Sequence, residues 1–573
     1  MKTIRQIFSV PKLKAYQWGL VAAVLLGQAI WNFYRVAPVG PAILGDEYIY
    51  SQSARHQSPW GPQITGDFSN YLFNIVYSTT NVCGPNFYTC GKILNLVFFV
   101  GFIFLIFIAA LRVMPFWPSL GFIAAAGLSP LTVYTSMFLP ESMYFFFLAL
   151  LLLALLHAMK EQTWRNWAIV GAVIGTASLV KPHAWMAVIP IAIFIFVLML
   201  SHKGRFFSNL VAAGGALVGA AVVARLVVGF IVAGPKTLSF FGAYLSAGTL
   251  QQVTEAPQEV AEGGTAIGTS PITGVFELFL PQLSIHVLTV SALMAIAIVG
   301  LIVAIIDLAR TKEPRTVNLL ALLSFIWLGA MVIIIVIFTG WLTGGGDDHT
   351  TRVLLRYYDF LFILVPLAGL SVFVSKAVNL QNVFVRWALA IAFGAVITSS
   401  FTGNFASLTI QIADAPNLAG LVVNLDTFNG VAVTMALALA VYATFPHYTK
   451  WAFVALLPFS MIAAGWQIQD QYLGFRGSLS AADKAGQYIY AHLSEEEKSN
   501  IHILANTRFD ATNVAIWIDK PQLDYELGNE GSLYPSSLAP AEASWIVALG
   551  GITVDGAVIE TFRGDGFNLY KVK

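Results

Sequence analysis

Long apolar runs separated by short charged turns set the pattern of this chain. Runs of bilayer-crossing length fall near 17–35, 92–112, 118–137, 142–159, 166–181, 184–201, 207–233, 286–307, 317–339, 357–375, 385–402, 427–446 and 450–466. At roughly 17–25 residues per crossing, they predict about thirteen membrane-spanning helices. The first run follows the basic stretch MKTIRQIFSVPKLK and carries no small-residue cleavage site, so it reads as a retained membrane helix rather than a removed leader. From Gln467 the pattern changes. A helix-like SAADKAGQYIYAHLSEEEK precedes the short strand-like runs IHILA, NVAIWI, SWIVALG, AVIETF and FNLYKV. The predicted architecture is a polytopic α-helical membrane protein over 1–466, with long outer loops at 36–91 and 234–285, followed by a small extracytoplasmic α/β domain over 467–573.

Composition strengthens the membrane reading. Of the 573 residues 57% are hydrophobic and 11% charged, and the mean hydropathy is +0.74. A soluble domain carries about 25% charged residues, so the bilayer must be the solvent for most of this surface. A net charge of +1 gives no footprint for nucleic acid.

The loop charges orient the chain. Lys2, Arg5, Lys12 and Lys14, then Arg112, Lys160 and Arg165, Lys203 and Arg205, Arg310, Lys312 and Arg315, Lys376 and Arg386, and Lys450 all share one side if the N-terminus is cytoplasmic. The opposite side receives both long loops and the C-terminal segment. That segment carries 8 Lys/Arg against 14 Asp/Glu. The expected setting is a membrane of the bacterial inner (plasma) type. Cys83 and Cys90 fall in the first outer loop, where an oxidising compartment favours a disulfide over two free thiols.

Charges beside apolar spans are costly and point to function. Asp46 and Glu47 (ILGDEYIY), Glu141 (FLPESMYFF), Lys181 with His183 (SLVKPHAW), Asp347, Asp348 and His349 (GGGDDHTT), and Arg352, Arg356 and Tyr357 (TRVLLRYYDF) lie far apart in sequence, yet the topology puts them at one outer face. Each also has a simpler reading. The acidic pair could be a solvated turn, Glu141 a helix-opening carboxylate favoured by the dipole, Lys181 and Arg356 snorkelling anchors, and the DDH run a polar loop. Arg225, inside VVARLVVG, must pair or line a cavity. Taken together, a carboxylate could accept the proton of an acceptor hydroxyl, while nearby cations bind a departing phosphate. No phosphate-binding loop of the GxxxxGK[ST] kind is present.

The acidic pair after the first span, PESMYFFFLALLLL, GTASLVKPHAW, RYYDFLFILVPL and the extracytoplasmic C-terminal domain resemble the GT-C superfamily of integral membrane glycosyltransferases, most nearly its protein O-mannosyltransferase and aminoarabinose-transferase branch. The resemblance implies inverting transfer of a sugar from a polyprenyl-phosphate donor to a hydroxyl. Asp46 matches the catalytic base, Glu47 its positioning neighbour and Glu141 a second acidic residue of the site. Lys181 and Arg356 with Tyr357 match donor-phosphate contacts, and His183 and Arg352 join that set. Some branches use a divalent metal such as Mg or Mn. Asp46, Glu141 and Asp347 could supply oxygen ligands, and Asp347, Asp348 and His349 form the candidate metal run. That run does not align with the family's pattern, and no signature of an inserted soluble domain is seen. The expected acceptor is therefore a cell-envelope glycan or glycolipid. A transporter or flippase, or a polymerase or ligase for lipid-linked glycans, would share the basic outer face.

Overall fold

The computed structural model describes residues 7, 10–42, 44–56, 69–200, 206–241, 271–311, 313–343, 352–375, 382–519, 524–556 and 558–572. The DDH run at 347–349 lies outside these. Among the described residues ten helices are long and apolar enough to cross a bilayer, or eleven if the bent pair Phe116–Ala126 and Pro130–Ser136 counts as one span. The protein is an integral membrane protein built mostly of helices.

The membrane part comprises α1 (Ala15–Val36), α2 (Leu44–Arg55), α3 (Tyr71–Tyr77), α4 (Phe87–Ala110), α5 (Phe116–Ala126), α6 (Glu141–Lys160), α7 (Trp164–Ala177), α8 (Val188–Met199) and α9 (Phe206–Ala233). It continues through α10 (Pro271–Leu293), α11 (Ala295–Thr311), α12 (Thr316–Thr343), α13 (Leu361–Val374), α14 (Val383–Thr402), α15 (Pro416–Val422), α16 (Leu425–Thr444) and α17 (Thr449–Arg476). The span count falls below thirteen because two predicted spans are short. Both α7 and α13 have 14 residues, or about 21 Å at 1.5 Å per residue, less than the roughly 30 Å hydrocarbon thickness. Every residue of α13 from Leu361 to Val372 is buried, so its apolar character serves the protein interior.

The predicted span 286–307 straddles a junction. Met294 separates α10 from α11, yet its N–H donates to Val290 O (3.0 Å) and its carbonyl accepts from Ile298 N–H (2.9 Å). Helical bonding therefore passes through Met294, and the helix begins well before 286. Its first turns carry the polar residues Glu277 and Gln282, which interrupt the apolar run. The last span likewise continues to Arg476.

At its outer end α1 is closed by a buried lysine. Lys92 Nζ on α4 donates to the carbonyls of Val36 (3.0 Å), Ala37 (2.9 Å) and Val39 (2.5 Å). Val36 and Ala37 close the helix and Val39 follows it, so the cation sits at the negative end of the dipole. Lys92 thereby fixes the chain up to Val39, seven residues before Asp46. Elsewhere α7 and α9 touch backbone to backbone. A Cβ on Gly171 would stand 2.0 Å from Leu217 O, and one on Gly175 would stand 2.1 Å from Ala221 O. Small residues allow this approach, as is common between membrane helices.

After α17 come α18 (Ala481–His492), α19 (Glu495–Ser499), β1 (Ile501–Ala505), α20 (Arg508–Ile518), β2 (Tyr525–Leu527), β3 (Leu533–Pro535), β4 (Trp545–Leu549), β5 (Thr553–Asp555), β6 (Val558–Arg563) and β7 (Phe567–Val572). Five strands form a mixed sheet of order β2-β1-β4-β7-β6. It is parallel at β2–β1–β4 and antiparallel at β4–β7 and β7–β6. Strands β3 and β5 form a separate parallel pair. NVAIWI, expected as a strand, is the second half of α20. It is buried along its whole length, and a continuous apolar run has no periodicity to separate helix from strand.

This C-terminal part is bound to the helices by charge. Arg476, at the end of α17, donates to both Asp483 oxygens (2.9 and 3.0 Å), and Asp483 also accepts from Asn513 (3.0 Å) and Trp517 (2.7 Å). Arg55, at the end of α2, pairs with Asp519 after α20 and lies 3.6 Å from the Phe87 ring centroid. Asp483 is fully buried and Arg476 nearly so. Asp483→Ala therefore leaves a buried guanidinium unpaired and is expected to cost about 3–5 kcal/mol. A lowered thermal unfolding midpoint of the purified protein in detergent checks this; Asp565→Ala, at an exposed ion pair, should leave the midpoint within about 1 °C of the parent, as isolated surface pairs contribute little.

Candidate functional site

The site begins at the first turn of α2, where consecutive acids face different surroundings. Glu47 is fully buried. It accepts from the Ala42 N–H (2.7 Å), the Tyr88 hydroxyl (2.5 Å) and the Phe138 N–H (2.7 Å). It therefore joins the entry to α2, the start of α4 and the turn before α6. Through these bonds Glu47, read from the sequence as the positioning neighbour of Asp46, fixes the start of α2.

Asp46, one residue earlier, points elsewhere because successive helical residues are about 100° apart. Its side chain is 40% exposed, and Oδ2 accepts from Arg356 Nη1 at 2.5 Å. Arg356 Nε donates at the same time to Glu141 Oε1 (2.5 Å), and Lys181 Nζ donates to that oxygen at 2.8 Å. Glu141 is fully buried and Lys181 nearly so. Among the described residues the buried Oε2 atom of Glu141 has no hydrogen-bond partner. Four side chains from four segments thus form one chain of contacts, Asp46–Arg356–Glu141–Lys181, with two formal charges of each sign. Burial holds the Lys181 ammonium below the usual lysine range, and the Glu141 carboxylate opposes that shift.

Aromatic rings wall the cations. The His183 ring lies 4.6 Å from that of Tyr357, centroid to centroid. Lys181 Nζ lies 5.5 Å from the Tyr357 centroid and 5.9 Å from that of Tyr144. These faces favour a cation. Arg352 is held differently. Its guanidinium pairs with Asp414 (2.6 Å) and reaches Gln411 (3.3 Å). It is tied to the cluster through the backbone, because Arg356 N–H donates to Asp414 O at 2.7 Å. Cys83 and Cys90 are joined as a disulfide.

Sequence reasoning passed over Asp359 and Asp414. Asp359 is fully buried and accepts from the Tyr134 hydroxyl (2.6 Å) and Asn417 (2.8 Å). It anchors the Arg356 segment to the turn before α6 and to α15. An acid inside RYYDFLFILVPL was a visible signal, since an ionisable residue in an apolar run needs a partner. Asp414 had none, being one acid in a polar loop.

The carboxylates do not fit a divalent ion as they stand. Asp46 and Glu141 hold the Arg356 guanidinium between them, in the space such an ion would need. Among the described residues no group of three His, Cys, Asp or Glu side chains is placed to hold a metal.

Residues 89–228 match the family model described as dolichyl-phosphate-mannose-protein mannosyltransferase. This segment contains Glu141, Lys181, His183 and Arg225, and the match accords with the resemblance to GT-C enzymes carried by the sequence motifs. No curated protein sequence matches the chain. Among solved structures the chain is similar to ArnT from Cupriavidus metallidurans bound to undecaprenyl phosphate, at 13% identity over 97% of this chain and 98% of that one, with a TM-score of 0.46. For ArnT in the apo state the TM-score is 0.47 at the same identity and coverage. The Archaeoglobus fulgidus oligosaccharyltransferase in complex with zinc and sulfate is similar at 12% identity, covering 92% of this chain and 68% of that one, with a TM-score of 0.42.

The two acids of α2 should respond differently to substitution. Glu47→Ala strands three donors in the interior, and at 1–3 kcal/mol each it is expected to cost about 3 kcal/mol or more. Asp46→Asn, at a half-exposed position, should change stability by less than about 1 kcal/mol. Unfolding midpoints of the two variants, measured side by side in one detergent, test the contrast.

Proposed function

We propose that this protein transfers a sugar, with inversion, from a polyprenyl-phosphate donor to a hydroxyl of a cell-envelope glycan or glycolipid, and that Asp46 is the general base. The observation that carries this reading is the Asp46–Arg356–Glu141–Lys181 chain. It sets one accessible carboxylate beside two buried cations that can receive a phosphate. The family description matched by residues 89–228 names a dolichyl-phosphate sugar, a donor of the same chemical class.

In the reaction the acceptor oxygen attacks the anomeric carbon and loses its proton to Asp46. The bond from that carbon to the phosphate oxygen breaks, and the phosphate leaves with the electron pair. Arg356 and Lys181 meet the charge that develops on it, in a site where burial strengthens their attraction. Glu141 keeps both cations in place while the donor is absent. The Arg356–Asp46 contact gives the donor a second effect. A phosphate that draws Arg356 toward itself releases Asp46 from its ion pair, so the base becomes available when the leaving group is in place. Tyr357 and His183 shield the cations from water. The site and the C-terminal domain then face the extracytoplasmic side of a bacterial inner membrane, with the N-terminus in the cytoplasm.

General base catalysis contributes about 10²–10⁴-fold. Asp46→Asn is therefore expected to lose at least about 10²-fold in turnover while the protein stays folded and still binds polyprenyl phosphate. The assay follows release of polyprenyl phosphate from a labelled polyprenyl-phosphate sugar, with an envelope lipid and glycan extract as acceptor. Undiminished turnover by this variant would remove Asp46 from the mechanism. Failure of the parent protein to cleave any such donor, with transbilayer movement of the intact lipid instead, would replace transfer by transport.

A further inference from the structure

Arg225 is fully buried in α9, and its partners among the described residues are oxygens of neutral groups. Nη1 donates to Ser178 O and Ser178 Oγ, both at 3.0 Å. Nη2 donates to Ser239 O at 2.8 Å, and the guanidinium lies 5.0 Å from the Phe240 ring centroid. A buried cation without a carboxylate is expensive. It is tolerable here because Ser178 caps the C-terminal end of α7, where unpaired carbonyls carry the negative end of the helix dipole.

What this end of α7 supports is Lys181. The carbonyls of the three residues before Lys181 are all taken, one by Arg225 of α9 and two by the 69–72 segment. Ser178 O accepts from Arg225, Leu179 O from the Leu72 N–H (2.8 Å), and Val180 O from Asn70 Nδ2 (2.6 Å). The segments are also tied to one another. Ser69 Oγ donates to Ser239 O (3.1 Å) and the Tyr71 hydroxyl to Lys236 O (2.8 Å). Ser239 O thus receives donors from both Arg225 and Ser69. The backbone contact of α7 with α9 at Gly171 and Gly175 fixes where the arginine starts from.

We infer that Arg225 is a positioning residue for Lys181: by spanning Ser178 and Ser239 it holds the turn that presents the Lys181 ammonium to Glu141 and to the donor phosphate. The role toward phosphate rests on the function proposed above. A planar guanidinium can reach both carbonyls at once, whereas the compact ammonium of lysine satisfies one site. Charge alone is therefore insufficient at this position.

The experiment is a double-mutant cycle on binding of a polyprenyl monophosphate to the purified full-length protein in nanodiscs, with donor KM and kcat measured in parallel. Arg225→Met and Arg225→Lys should each weaken binding about tenfold and raise KM, with any fall in kcat no larger than that of Lys181→Met. If Arg225 acts through Lys181, Arg225→Met added to Lys181→Met should bring no further loss beyond about twofold, because residues in one network are non-additive. Losses that multiply in the double variant overturn the inference, as does parent-like binding by Arg225→Lys. Should Arg225→Met fail to assemble, Arg225→Lys combined with Lys181→Met carries the same comparison. A Lys181→Met protein that binds polyprenyl monophosphate like the parent is a different failure, since it removes Lys181 from the phosphate site and refutes that part of the proposed function itself.

Discussion

The guanidinium of Arg356 between Asp46 and Glu141 is the contact on which the candidate site of this protein is organised. Three residues separated by 95 and 215 positions in sequence meet within hydrogen-bond distance there. Lys181 extends the contact through Glu141. In a low-dielectric setting such a group must be fully partnered or it destabilises the fold. Each member therefore constrains the others, and the helices that carry them are constrained in turn.

The surrounding structure places these four side chains. Lys92 closes α1 and Glu47 clamps the start of α2, so Asp46 emerges from a fixed turn. Asp359 and Asp414 hold the segment carrying Arg356. Arg225 and the 69–72 segment hold the turn carrying Lys181. The C-terminal domain grips the far end of α2 through Arg55 and Asp519. It thus braces the helix that carries Asp46.

Much of the outer cluster was legible before folding was considered. Asp46, Glu141, Lys181 and Arg356 are conspicuous because each interrupts or borders an apolar run, and loop charges put them on one side. Their mutual pairing was not legible. The resemblance distinguished Asp46 from Glu47 as base and positioning neighbour, but only the direction in which each leaves the helix shows which is accessible and what the other holds. Asp359 went unnoticed for the opposite reason: its apolar neighbours drew attention to the span rather than to the charge within it. NVAIWI and the 286–307 run failed where periodicity was absent or interrupted.

The sequence by itself determined the solvent of each segment. Its apolar runs require a bilayer and its interspersed charges stand out against them, because transfer of each residue between water and hydrocarbon is largely a local property. Tertiary structure alone decided which charges pair, which acid is exposed and how Arg225 is satisfied. Those outcomes depend on distances between groups far apart in the chain, and a buried charge is stabilised or not by neighbours that no local pattern specifies.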